Sequence, residues 1–201
     1  MKLYYLPGAC PLAPHIALEW IGKPYEIQEV SRSEIKEPDY LSLNPLGQVP
    51  VLVDGDFTLT QCNAILEYLA ELNPEAKLHG STLRARAEVR RWLGFCNSDL
   101  HRTFGIVFAA ASFMSTAEGQ AELVAHTSKK VEGLFRQANR QLEKHNWLAG
   151  SRSIADPYLF TVLRWAKAKK LDLSGCSGLD TFFSRMTADS GVQRALKAQG
   201  L

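Results

Sequence analysis

The chain changes character at Asn73-Pro74, and that change limits its architecture more than any single motif. Before it, short apolar runs of strand length alternate with stretches of helical periodicity; after it, only helical periodicity remains. Proline disfavours helical geometry in the residue before it, so the dipeptide also closes the helix that precedes it. A chain divided in this way must build a mixed layer of strands and helices, followed by a layer of helices alone. Its 201 residues suffice for one large domain or two small ones with real cores.

In the first part, Lys2-Leu3-Tyr4-Tyr5-Leu6 reads as a strand broken by Pro7-Gly8-Ala9, and the apolar positions Ile16, Leu18, Trp20 and Ile21 predict a helix over about 11–22. Gly22-Lys23-Pro24 is a turn, Tyr25 to Val30 a second strand, and Pro38 to Leu43 a short helical or irregular link. Val51-Leu52-Val53 and Phe57-Thr58-Leu59 flank Asp54-Gly55-Asp56, a hairpin signal. Ala64, Ile65, Tyr68, Leu69 and Leu72 share one helix face, so the predicted order is βαβαββα.

Helices are expected from Leu83 onward, over a stretch containing Val124, Val131, Phe135 and Leu142, near Leu179–Met186, and near Val192–Ala198. Ser153-Ile154-Ala155-Asp156 is a capping box with Asp at the third helical position. The helix it opens is apolar nearly all round and should be buried. The predicted division is 1–76 and 82–201.

A formal net charge of +2 offers no basic surface for nucleic acid or anionic lipid. The longest apolar stretch, Phe104 to Met114, is too short to span a bilayer, and Pro7-Gly8 interrupts the apolar start that an export signal needs. Four widely spaced cysteines, Cys10, Cys62, Cys96 and Cys176, suit a reducing, cytoplasmic setting. His15, His79, His126 and His145 show no metal-ligand spacing, so no metal is expected. Cys96 and Cys176 read as packed thiols.

Cys10 lies between a strand end and a helix start, among backbone N–H groups at the positive end of the helix dipole, a setting that favours a thiolate. The other reading is a small buried thiol. Asn44-Pro45-Leu46-Gly47-Gln48-Val49-Pro50 stands immediately before a strand. A cis Val49-Pro50 bond would present the Val49 backbone to a peptide-like ligand; a trans proline opening the strand is the plainer reading.

The element order, Cys10 after the first strand and Val49-Pro50 before the third resemble a thioredoxin-like domain. With an all-helical second domain, the whole chain resembles a cytosolic glutathione transferase, closest to the bacterial beta class. Lys2 to Cys10, Asn44 to Pro50, Ser98-Asp99-Leu100-His101 and the Ser153–Asp156 box with Tyr158-Leu159-Phe160 carry that resemblance. It implies a homodimer that takes glutathione as co-substrate, with no metal, and attaches it to small hydrophobic electrophiles or exchanges thiols at Cys10. Cys10, His101 and Tyr5 would act near the glutathione sulfur. Gln48, Val49, Pro50, Gln61, Cys62, Ser98 and Arg102 would bind the tripeptide, and Phe104, Ile106, Phe108 and Trp165 would hold the electrophile. Cys10-Pro11-Leu12-Ala13 lacks the second cysteine of a dithiol motif, so the partner thiol would come from solution.

One departure stands out. The family has an acid before a small or hydroxyl residue at the third helix, where this chain has Gln61-Cys62. Gln61 accepts a hydrogen bond from an ammonium but brings no charge, a loss of about 1–2 kcal/mol. The departure leaves a second expectation: a binding or partner protein that has kept the fold with a weakened site.

Overall fold

The structure is a computed structural model and describes residues Met1–Leu201. Four strands, β1 (Lys2–Tyr5), β2 (Glu26–Glu29), β3 (Val51–Asp54) and β4 (Phe57–Thr60), form one sheet in the order β2-β1-β3-β4. β1 runs parallel to β2, with Leu3 opposite Ile27, and antiparallel to β3, with Leu3 opposite Leu52. A parallel pair needs a crossover, which α1 (Leu12–Ile21) supplies. β3 and β4 close a hairpin at Asp54–Phe57, where Gly55 adopts φ +62°. The short α2 (Pro38–Leu43) and α3 (Cys62–Leu72) complete the βαβαββα order expected from the sequence.

The rest is helical: α4 (Leu83–Gly94), α5 (Arg102–Phe108), α6 (Ala117–Leu142), α7 (Ala155–Ala168), α8 (Ser177–Ala188) and α9 (Ser190–Ala198). α4 and α5 are one continuous rod joined by a π-helical stretch, Phe95–His101, which sequence periodicity does not reveal. The capping box forms as read. The Ser153 hydroxyl accepts from the Ala155 N–H (3.3 Å), and the Asp156 carboxylate accepts from the Ser153 N–H (2.7 Å) and hydroxyl (3.1 Å) and from the Leu148 N–H (3.0 Å). Ala155 to Leu163 of α7 are all buried, which makes this helix the centre of the molecule.

One apolar core runs through both parts, from Leu3, Ile16 and Leu66 to Trp92, Phe135 and Phe160. A second, small cluster of Val30, Ile35, Tyr40 and Val51 lies apart from it. Polar bonds cross the boundary beside that core. Trp165 Nε1 donates to the Gly8 carbonyl (2.8 Å), Gln199 Oε1 accepts from the Gly8 N–H (3.1 Å), and Trp20 Nε1 donates to Asp189 (2.8 Å). His15 is a satisfied core histidine, 3.0 Å from both the Tyr25 hydroxyl and Gln199 Nε2.

Candidate active site

A cleft opens where the end of β1, the loop before β3 and the start of α3 meet the π-helical stretch. From the first part of the chain it takes Cys10, Gln48, Val49, Pro50, Gln61 and Cys62, all expected there, together with Asn44. From the second part it takes His101, as expected, and also Asn97 and Tyr158.

The loop before β3 is held from inside. Tyr40 Oη (2.9 Å) and Asn44 Nδ2 (2.7 Å) both donate to the Gln48 carbonyl, and Asn44 Oδ1 accepts from the Leu46 N–H (3.2 Å). Val49-Pro50 is cis. The Val49 carbonyl accepts from the Cys10 thiol at 3.5 Å, while its N–H makes no hydrogen bond to other backbone. Gln61 stands before α3 at φ +73°, an uncommon conformation for a residue with a side chain. The first bond of that helix runs from the Ile65 N–H to the Gln61 carbonyl (3.0 Å), so the N–H groups of residues 62–64 lie ahead of it, free for an anion.

The helical wall is a hydrogen-bonded chain. Tyr158 Oη donates to Asn97 Oδ1 (2.9 Å) and lies 2.7 Å from His101 Nδ1. A hydroxyl has one proton, so His101 Nδ1 carries the hydrogen of the second bond and Nε2 is left as an acceptor. Burial lowers the His101 pKa, which keeps the ring neutral near pH 7. Burial and the neighbouring thiols raise the Tyr158 pKa, so its hydroxyl stays a donor. The cleft thus offers a thiol, a neutral imidazole, a free backbone N–H and a helix N-terminus. That set can hold a small thiol-bearing peptide and accept its thiol proton.

Beside it, Trp165 packs on His101, Phe104 and Phe108, with ring centroids 5.0, 5.8 and 5.5 Å apart. Phe104 is fully buried and Phe108 half exposed, so Phe108 and Trp165 offer the apolar surface while Phe104 backs it.

Three expected residues are not brought to the cleft. Tyr5 points to the side of the sheet that carries Leu3; its hydroxyl lies 3.4 Å from Glu29 and 3.5 Å from the Ala198 carbonyl. Ser98 and Arg102 are exposed, because the π-helical stretch turns Asn97 and His101 inward instead. Tyr158 lines the cleft although in the sequence it reads as one more large residue in an apolar helix.

Residues 1–71 match the family model for the glutathione S-transferase N-terminal domain, and residues 102–189 that for the C-terminal domain. The chain belongs to the glutathione S-transferase family. It is 46% identical to glutathione S-transferase GST-4.5 of Xanthomonas campestris pv. campestris and 38% identical to glutathione S-transferase GstA of Escherichia coli O157:H7, each over 100% of both chains. Among solved structures, the glutathione S-transferase of Xylella fastidiosa superposes with a TM-score of 0.97 at 44% identity, covering 100% of this chain and 98% of that one. The beta-class enzyme of Sphingomonas chungbukensis gives 0.87 at 34% identity, with both chains covered in full. These likenesses make the chain a transferase and do not favour the reading of a fold-only binding protein.

Outside this cleft, Glu67 and Glu71 converge on His79, a grouping the sequence spacing does not suggest. Arg90 already donates to both carboxylates, at 3.0 and 2.9 Å. No helix is long and apolar enough to cross a membrane.

Proposed function

We propose that this transferase binds glutathione in the cleft between its two parts and joins the tripeptide's sulfur to small apolar electrophiles. The observation that carries this is the convergence of Cys10, the Val49 backbone and the start of α3 on His101 and Tyr158. The Val49 N–H donates to the cysteinyl part of glutathione, and the N–H groups at the start of α3 hold its γ-glutamyl carboxylate. Gln61 meets the ammonium as a neutral acceptor. His101 Nε2 takes the thiol proton as the sulfur attacks, and Cys10 lies against the same sulfur. Phe108 and Trp165 hold the electrophile. The several catalysts from two parts of the chain fit a division at 1–76 and 82–201. We further place the enzyme in the cytoplasm as a homodimer without a metal cofactor, a reading supported by its four free cysteines and its family.

Retention on immobilised glutathione, followed by conjugation of an aromatic halide, tests this reading. The protein should be retained and should turn over the halide; no retention together with no turnover overturns the proposal. Gln61→Glu restores the charge opposite the ammonium and should tighten glutathione binding about 5- to 30-fold, read by calorimetry. An unchanged affinity would place the ammonium elsewhere.

A further inference from the structure

The segment Cys10-Pro11-Leu12-Ala13 holds no second thiol, but Cys62 stands beside Cys10 in the fold. Cys62 opens α3 and is 4% exposed, and its Sγ lies 3.5 Å from the Cys10 carbonyl oxygen. Both cysteines line the same cleft. The other two do not: Cys96 is directed at the Ala155 carbonyl (3.9 Å), and Cys176 lies beside Arg136 (3.9 Å).

We propose that Cys62 is a resolving thiol for Cys10, giving this transferase a second activity in which the pair reduces glutathione disulfide and closes to a Cys10–Cys62 disulfide. The proposal rests on the cleft being a glutathione site. In the first step, Cys10 Sγ attacks one sulfur of glutathione disulfide. A Cys10–glutathione bond forms, the glutathione–glutathione bond breaks, and one glutathione leaves with the Cys10 proton. In the second step, Cys62 Sγ attacks the Cys10 sulfur. The Cys10–Cys62 bond forms, and the second glutathione leaves with the Cys62 proton. Two protein thiols lose two electrons in all, and one glutathione disulfide becomes two glutathione molecules.

The surroundings set the order of these steps. Burial pushes the Cys62 thiol well up, and its side-chain hydrogen bonding with Cys10 adds to that. Cys62 therefore stays a quiet thiol while Cys10 is free. Once Cys10 is bound in a mixed disulfide, Cys62 is the thiol that stands beside it in the same cleft.

The test incubates the whole protein with glutathione disulfide, quenches in acid, alkylates free thiols, and reads intact mass, peptide map and glutathione released. The wild type should lose both alkylation sites, carry no adduct and release two glutathione molecules per chain. Cys62→Ser should keep one adduct on Cys10 and release one; Cys62→Ala should do the same, and circular dichroism confirms that both fold. Cys10→Ser should give neither product. A wild-type adduct as long-lived as that of Cys62→Ser, or a disulfide mapped to Cys96, overturns the inference and leaves the glutathione site standing. No product in any of the proteins overturns it as well, and calorimetry with reduced glutathione then shows whether the glutathione site falls with it.

Discussion

The hydroxyl of Tyr158 settles which nitrogen of His101 carries the hydrogen. Its proton goes to Asn97, so His101 donates through Nδ1 and keeps Nε2 free. Tyr158→Phe removes the middle of that chain and leaves His101 Nδ1 and Asn97 Oδ1 facing an apolar ring. Urea unfolding should show a loss of about 1–3 kcal/mol. The conjugation rate should fall about 10-fold or more, as expected when a positioning partner is lost. The same geometry predicts a pH dependence. Burial lowers the His101 and His15 pKa values below the ordinary histidine value of about 6.5, so the unfolded chain binds protons that the folded one refuses. The stability they contribute is present above about pH 6.5 and falls away as the pH drops through the folded values. Unfolding curves taken stepwise from pH 7.5 to 5 should show this, and His15→Gln should flatten the fall.

Tyrosines also show where reading the sequence stops. Tyr5 is near Cys10 along the chain, but in a strand alternate side chains face opposite ways. Leu3 and Tyr5 share the face toward His15, while Tyr4 meets Tyr40 on the other, its ring centroid 6.0 Å away. Tyr158 lies far from Cys10 in sequence and reaches the cleft only through helix packing, which a periodic pattern does not specify.

Among the elements, α7 carries the most consequence for its length. Its capping box buries a carboxylate that takes three hydrogen bonds, and burial still pushes the Asp156 pKa up to about 6. A carboxyl whose folded pKa lies above its unfolded value contributes most below the unfolded value and loses that contribution as pH rises to the folded one. Asp156→Ala should cost about 2–4 kcal/mol through the lost cap and the orphaned Leu148 and Ser153 N–H groups. The cost should be larger at pH 5 than at pH 8, with urea midpoints as the measure. The box was legible because four adjacent residues define it. The π-helical stretch was not, because Phe95–His101 has ordinary helix-forming residues and only the packing around Asn97 and His101 shows the extra turn width. Its effect is to replace Ser98 and Arg102 by Asn97 on the inner face.

On the scale of the molecule, Gly8 is held from both sides by the helical part. Trp165 takes its carbonyl, Gln199 takes its N–H, and a side chain added at its Cα would come within 3.5 Å of Leu201. Gln199 also reaches His15, so one amide joins the Cys10 loop, α1 and the end of the chain. Gln199→Ala should lower stability by about 1–3 kcal/mol through the two groups left unpaired, read by thermal or urea unfolding. It should also slow conjugation while leaving glutathione affinity nearly unchanged, since Gln199 does not line the cleft.

That arrangement bears on how such chains exchange parts. Gly8, two residues from Cys10, is one of the ties between the two halves, and the groups that hold its N–H and carbonyl come from positions as far apart as 165 and 199. A hybrid that joins this sheet domain to another relative's helices inherits a working Cys10 loop only if it brings an indole and an amide to the same places. Recombination among relatives is thereby constrained at the far end of the sequence, where no substrate is touched.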